Sequence, residues 1–427
     1  VQGFESLAAR QRKPRKCGQI PLLTNLNGGI FCVKNRFQDT IRALFFLLVL
    51  RRALFCAVWQ FYKVVYCFFN LLPVKNKVVA TAMRGRKYSD DPRFVVEELH
   101  RQRPNLDIVW FVDDRWPTND LPSWIRTVPY YKFGMLKRIY EMATSKVWIN
   151  SHLFEHFVQR KSNQLYIKVD HGSMPLKKVY LDVKSTDKHG IAYKELINNA
   201  KIANVFVANS DFHVGLYRRA YAFKGPIYRC GFPRNDEFVA PTTDYRKNVR
   251  EELQLQGENI LLYVPTFRDN FERTHDIDYS VYAVDFDGLY NALKRKFGGE
   301  WVILQKFHPI MQIYVKSGND LPFVKDVSSY ANTQDLIAAS DIVLSDYSST
   351  IIDAAIAGVP GFTLCLDYDR YRKEREMYFE MEKLPFPFAK SNEELIANVE
   401  HFDENDFRKK WQVFHVEHRP FAILENF

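Results

Sequence analysis

Three absences narrow the chemistry open to this chain. Its six cysteines (Cys17, Cys32, Cys56, Cys67, Cys230 and Cys365) form no Cys-x-x-Cys pair and no regular spacing. That disfavours a zinc ribbon or a disulfide framework and suits a reducing compartment. There is no Gly-x-Gly-x-x-Gly, no P-loop and no Gly-x-Ser-x-Gly, so dinucleotide, P-loop nucleotide and serine-hydrolase readings have no support. No apolar run approaches the roughly 20 residues of a membrane span; the longest is the eight from Ala43 to Leu50, ended by Arg51 and Arg52. No cleavable leader is read at the start, because the apolar stretch begins late and no small-residue cleavage site follows it.

Acid is scarce in one place only. The first 80 residues hold 13 Lys and Arg against Glu5 and Asp39, whereas the rest of the chain is close to neutral within a total of +10. A nucleic-acid groove spreads its basic excess over the folded body, so nucleic acid is not expected as a partner. Apolar residues make up 47% and aromatic residues 15%, enough for a large core, which excludes a disordered or collagen-like chain.

Residues 1–33 are basic and punctuated by Gly and Pro, and read as a disordered tail. Residues 34–73 read as an amphipathic helical segment. Lys34, Gln38, Arg42, Arg52, Lys63 and Asn70 are spaced by near-whole helical turns, opposite a broad Phe, Leu and Trp face. Such a helix suits the interface of an anionic membrane; a helix pair packed on the protein itself is the alternative.

Beyond Pro73, short apolar runs alternate with helical stretches. The strand candidates are 77–82, 107–112, 146–150, 165–169, 204–208, 259–264, 301–307, 323–325, 342–344 and 361–366. Helical stretches include 91–103, 210–222 and 285–297. This alternation predicts doubly wound parallel sheets. Ten strands suit two sheets, with a boundary at the turn-rich Gly231-Phe-Pro-Arg-Asn-Asp236. The expected architecture is α/β: two Rossmann-like domains, 74–230 and 231–427, facing across a cleft in a glycosyltransferase-B arrangement.

Ligands of such sheets bind beyond the carboxyl ends of the strands. Asp170-His171-Gly172-Ser-Met-Pro-Leu-Lys177-Lys178 follows one candidate strand. There an imidazole suits a general base, Gly172 permits close approach of a substrate, and the lysines suit a phosphate. Lys306-Phe-His308-Pro309 puts a second histidine at a strand end in the other half. Ser345-Asp346-Tyr347-Ser348-Ser349-Thr350 leads into a helix, where the hydroxyls either cap it or hold a diphosphate. Thr266 and Arg268 follow another strand, and Arg268 pairs either with phosphate or with a surface acid. His152 and His156 lie four apart but have no evident third ligand, so no metal is expected, and no cofactor is called for.

Taken in order, these segments resemble the CDP-glycerol glycerophosphotransferase family, membrane-surface enzymes that prime and polymerise teichoic acids and related capsules. The family's His-Gly-Thr-Pro-Leu-Lys is similar to His171-Gly-Ser-Met-Pro-Leu-Lys177, its Gly-Tyr-Pro-Arg-Asn-Asp to the segment at Gly231, and its Ala-Pro-Thr-Phe-Arg-Asp to Val264–Asp269. Its Leu-His-Pro matches Phe307-His-Pro309, and its Asp-Tyr-Ser-Ser block matches the stretch from Ala339 to Asp353. The resemblance implies transfer of a polyol phosphate from a CDP-activated donor to a lipid-linked or polymer acceptor at the cytoplasmic face of the membrane, with release of CMP. It further implies that His171 is the base and His308 stabilises the donor phosphates. Ser348 and Ser349 would cradle the diphosphate, and Arg234, Thr266, Arg268 and Asp346 would line the cleft. Asp353 would hold a ribose hydroxyl or support its loop. A CDP-ribitol or nucleotide-sugar donor, or an inert membrane-bound homologue, are the alternatives. Two departures stand out: the inserted Met174, and a tail reading Phe414-His-Val-Glu-His where the family has Asp-Gly-x-Ala-Ser.

Overall fold

The computed structural model describes residues 45–418 except 47–49, 52, 55, 117–120, 132–133, 240–243, 269–277, 308–310 and 312–320. The chain forms two compact units, Val1–Val64 with Asp269–Ile277, and Val65–Arg268 with Asp278–Phe427. In the smaller unit the described residues are helical, and Phe45, Phe46, Leu50, Leu54 and Phe61 are exposed. The expected tail 1–33 and the stripe residues Lys34, Gln38, Arg42 and Arg52 lie outside the described residues. No described helix is long and apolar enough to cross a membrane.

The larger unit holds two parallel sheets. The first contains β1 (Lys75–Thr81), β2 (Asp107–Val112), β3 (Ile125–Pro129), β4 (Ser145–Asn150), β5 (Leu165–Lys168), β6 (Val205–Ala208) and β7 (Ile227–Arg229). Their order is β3-β2-β1-β4-β5-β6-β7. The second contains β8 (Asn259–Val264), β9 (Trp301–Gln305), β10 (Val324–Asp326), β11 (Ile342–Ser345), β12 (Gly361–Leu364) and β13 (Phe388–Ala389), ordered β10-β9-β8-β11-β12-β13. In each sheet the order reverses beside the first strand, between β1 and β4 and between β8 and β11, which is where doubly wound sheets open a crevice for ligands.

The central strands form here because their apolar runs can be buried on both faces. Ile108, Val109, Trp110 and Phe111 of β2 are all buried, as are all five residues of β9. Between strands, helices start where side chains cap them. Asp285 accepts the Gly288 N–H at 2.9 Å ahead of Phe286–Phe297, and Ser210 accepts the His213 N–H ahead of Asp211–Arg219.

The described residues contain thirteen strands rather than the expected ten. The three extra, β3, β7 and β13, are all sheet edges. An edge strand has one neighbour and needs less apolar side chain, so it carries a weak pattern. In Ile125-Arg-Thr-Val-Pro129 the adjacent Arg126 and Thr127 are both exposed, and β7 and β13 are only three and two residues long.

The last residues of the 34–73 segment pack on the first sheet's half. Tyr66 is buried, with its hydroxyl donating to the Gln159 carbonyl at 2.8 Å, and Phe69 meets Tyr140 edge-on. After β5 the chain crosses to the other half. Met174 and Leu176 belong to the core of the second sheet, and a short antiparallel bridge joins Lys177 to Met377. The inserted methionine is thus a core residue of the opposite half. Met174→Ala is expected to cost about 2–3 kcal/mol in urea unfolding. A loss below about 0.5 kcal/mol would show that the crossing loop is not seated in that core.

Candidate active site

His171 stands three residues beyond β5, with its imidazole half exposed. Its Nδ1 lies 3.0 Å from Asp170 Oδ1, which also accepts the His171 backbone N–H at 2.9 Å. The Tyr217 hydroxyl donates to the other carboxylate oxygen at 3.2 Å. A ring that donates Nδ1–H to a carboxylate keeps Nε2 as its basic nitrogen. Desolvation works to lower the His171 pKa, but the hydrogen bond and charge of Asp170, joined by Asp90, outweigh it and raise the pKa above its ordinary value. Burial likewise works to raise Asp170. The Lys168 ammonium and the His171 contact reverse that and hold it below the usual carboxylate range.

In the second half, the loops after β8 and β11 are locked together. Asp346 Oδ1 accepts the backbone N–H groups of Thr266 (2.8 Å) and Tyr347 (2.6 Å), and Oδ2 accepts Arg268 Nη1 at 2.8 Å. Arg268 turns its other edge to Asp367, with Nε at 2.9 Å and Nη2 at 3.0 Å, in a bidentate pair. Its guanidinium also lies over Tyr347, whose ring stacks on Tyr371 at 3.7 Å. Arg268, an expected phosphate ligand, is therefore engaged on both edges by carboxylates. Ser348 Oγ lies 2.9 Å from Thr350 Oγ1 and accepts the Thr350 N–H at 3.3 Å. Ser349 precedes the helix Thr350–Ile356 without capping it through its side chain, which leaves that hydroxyl to face the seam between the halves.

At this seam Arg234 Nη2 donates to Asp353 Oδ2 at 2.5 Å, and both side chains are almost fully buried. The Arg234 backbone N–H donates to Asp91 Oδ1 at 3.0 Å, and Nη1 stands 3.8 Å from Asp90 Oδ1. Burial pushes the Asp91 pKa up to about 8 against the pull of Arg234. Gly172 sits against this seam: a Cβ there would come within 2.7 Å of Ser349 Oγ and 4.0 Å of Arg234 Nη2. His171-Gly172 from one half, Ser349 and Asp353 from the other, and Arg234 between them thus meet in one place.

Of the residues singled out in the sequence, His171, Gly172, Arg234, Ser349 and Asp353 converge at the seam, and Thr266, Arg268, Asp346 and Ser348 form the adjoining cluster. Lys177 contributes the interdomain bridge. His308 lies outside the described residues. Four participants escaped notice: Asp170, Asp90, Asp91 and Asp367. Asp170 had a signal, its place directly before the histidine; the others are distant in sequence and had none. No described group of three or more His, Cys, Asp or Glu side chains is placed to hold a metal.

A family model described as CDP-Glycerol:Poly(glycerophosphate) glycerophosphotransferase matches residues 64–422. The teichoic acid glycerol-phosphate transferase of Staphylococcus aureus is 26% identical over 377 residues, covering 85% of this chain and 93% of the relative. The teichoic acid poly(glycerol phosphate) polymerase of Bacillus subtilis is 25% identical over 358 residues, covering 81% of this chain; the chain spans only 47% of that longer protein. The solved structure of the wall teichoic acid polymerase TagF superposes with a TM-score of 0.71 at 24% identity, over 90% of this chain and 92% of that one. This likeness is one of fold.

The Asp170 contact makes a claim that needs no substrate. In an NMR titration the His171 ring is expected to titrate above its ordinary value of 6.5. Asp170→Asn removes both the hydrogen bond to a charge and the charge itself, so the midpoint should fall. A wild-type midpoint at or below 6.5 would contradict the geometry.

Proposed function

The chain belongs to the CDP-glycerol:poly(glycerophosphate) glycerophosphotransferase family, and from that premise we propose that it transfers glycerol phosphate from CDP-glycerol to a hydroxyl of a lipid-linked or polymeric acceptor in teichoic acid biosynthesis, releasing CMP. The observation that carries this reading is the half-exposed His171 imidazole, held by the buried Asp170 and followed by Gly172, which sits against Ser349 at the seam of the two halves.

In the proposed reaction the acceptor hydroxyl gives its proton to His171 Nε2 as its oxygen bonds to the glycerol-bearing phosphorus. The phosphoanhydride bond to the cytidylyl phosphate breaks, and CMP leaves with that electron pair. Asp170 stabilises the imidazolium that forms. Phosphoryl transfer asks chiefly for positioning and for stabilisation of charge on the equatorial oxygens. Ser348 and Ser349 offer hydroxyl and backbone N–H donors to the diphosphate, and His308 keeps the role of donor-phosphate partner that the family motif implies. Thr266, whose buried hydroxyl has no hydrogen-bond partner among the described residues, is assigned to the donor side. Arg234, Arg268, Asp346 and Asp353 act as positioning residues, because their charges neutralise one another.

Residues 34–73 are proposed to hold the enzyme on the anionic cytoplasmic face of the membrane, where a lipid-linked acceptor lies. The exposed Phe45, Phe46, Leu50, Leu54 and Phe61 support this. A donor panel tests the reading: CMP release is measured with CDP-glycerol, CDP-ribitol and a nucleotide sugar, in the presence of a lipid-linked glycerol-phosphate acceptor. CDP-glycerol is expected to be the preferred donor, and His171→Ala to lower turnover at least about 100-fold while the fold is retained. Preference for another donor would replace the substrate, and a fully active His171→Ala would overturn the mechanism.

A further inference from the structure

Two imidazoles stand at the carboxyl ends of neighbouring parallel strands, and the proposed reaction uses only one of them. β4 and β5 pair with Asn150 opposite Lys168, and His152 and His171 follow directly. Their ring centroids are 4.7 Å apart and their planes lie 26° from parallel. His152 is fixed on two sides: its backbone N–H donates to Asn150 Oδ1 at 2.9 Å, and its Nδ1 lies 3.1 Å from Ser151 Oγ. The buried Lys168 ammonium donates to the Ser151 carbonyl at 2.9 Å, tying the two strand ends together. His171, by contrast, is held by Asp170 along one edge. An edge contact alone leaves an imidazole free to rock about its broad χ2 torsion, and a fixed ring against its face removes that freedom.

We infer that His152 is a positioning residue: it backs the face of His171 so that Nδ1 stays on Asp170 and Nε2 stays on the attacking hydroxyl of the acceptor. The inference rests on the proposed role of His171 as the base. The charged groups facing the pair are Asp170 and Lys168 at the β5 end, Asp90 at the head of the helix Asp90–Gln102, and Arg84 beyond β1. Desolvation first, then His171, Lys168 and Arg84, hold the His152 pKa well below its ordinary value. A neutral ring can back the imidazolium formed during transfer without adding a like charge.

The test uses the full chain, CDP-glycerol and a lipid-linked acceptor, with two substitutions that separate ring from nitrogen. His152→Ala is expected to lower kcat at least about tenfold with the donor KM within about twofold, and His152→Phe to restore kcat to within about threefold of wild type. NMR supplies a readout independent of turnover. In His152→Ala the freed His171 ring spends less time on Asp170 and its titration midpoint falls toward that of Asp170→Asn, while in His152→Phe it stays near the wild-type value. A His152→Ala variant with wild-type kcat and an unmoved His171 midpoint would overturn the inference. So would a folded His152→Phe as slow as the alanine variant, since the nitrogen rather than the ring would then be needed. His171→Ala, assayed alongside, reports separately on the base: if it stays active the base reading fails, and the NMR midpoints still decide whether His152 seats the ring.

Discussion

The site depends on one buried ion pair, Arg234 with Asp353, made across the two sheets. Arg234 belongs to the turn after β7, and Asp353 to the helix after β11. Neither side chain reaches bulk water, and taking both charges out of water is costly. Such a pair is poor evidence for stability and better evidence for register: only one seating of the two halves satisfies it. In that seating the Arg234 backbone N–H also reaches Asp91, and Gly172 comes close to Ser349. A shift of about 1 Å would lengthen and misalign this hydrogen-bonded pair, and misplacement on that scale is costly for a reaction that relies on positioning.

A second constraint follows from where the arginines are spent. Two arginines expected to line the cleft, Arg234 and Arg268, are answered by Asp353 and by Asp346 with Asp367. Arg268 does for the second half what Arg234 does at the seam, pinning the loops after β8 and β11 to each other. In the proposed reaction, hydroxyls, backbone N–H groups and histidine are the groups assigned to the diphosphate charge. This division suits a site that must release a charged leaving group, because the strongest cations rigidify the frame and stay off the product.

Much of this was legible in the sequence, and the limits have physical causes. The central strands announced themselves through apolar runs buried on both faces, such as Ile108 to Phe111. The edge strands β3, β7 and β13 did not, because an edge can remain half polar or very short. His171 was legible because a histidine followed by glycine after a strand marks a crevice, and family motifs lay around it. What Arg234 and Arg268 touch was not legible, since their partners lie 119 and 99 residues away and only the fold brings them together. The place of Met174 in the opposite core was hidden for the same reason.

If the seam pair seats the two halves, Arg234 and Asp353 must behave as one unit. A double-mutant cycle of Arg234→Met and Asp353→Asn, read as kcat/KM for CMP release, measures this directly. The result expected is strong coupling, with the double variant no slower than the worse single variant and an interaction of at least about 2 kcal/mol. Independent, additive losses would contradict it, because each residue would then be serving the substrate on its own.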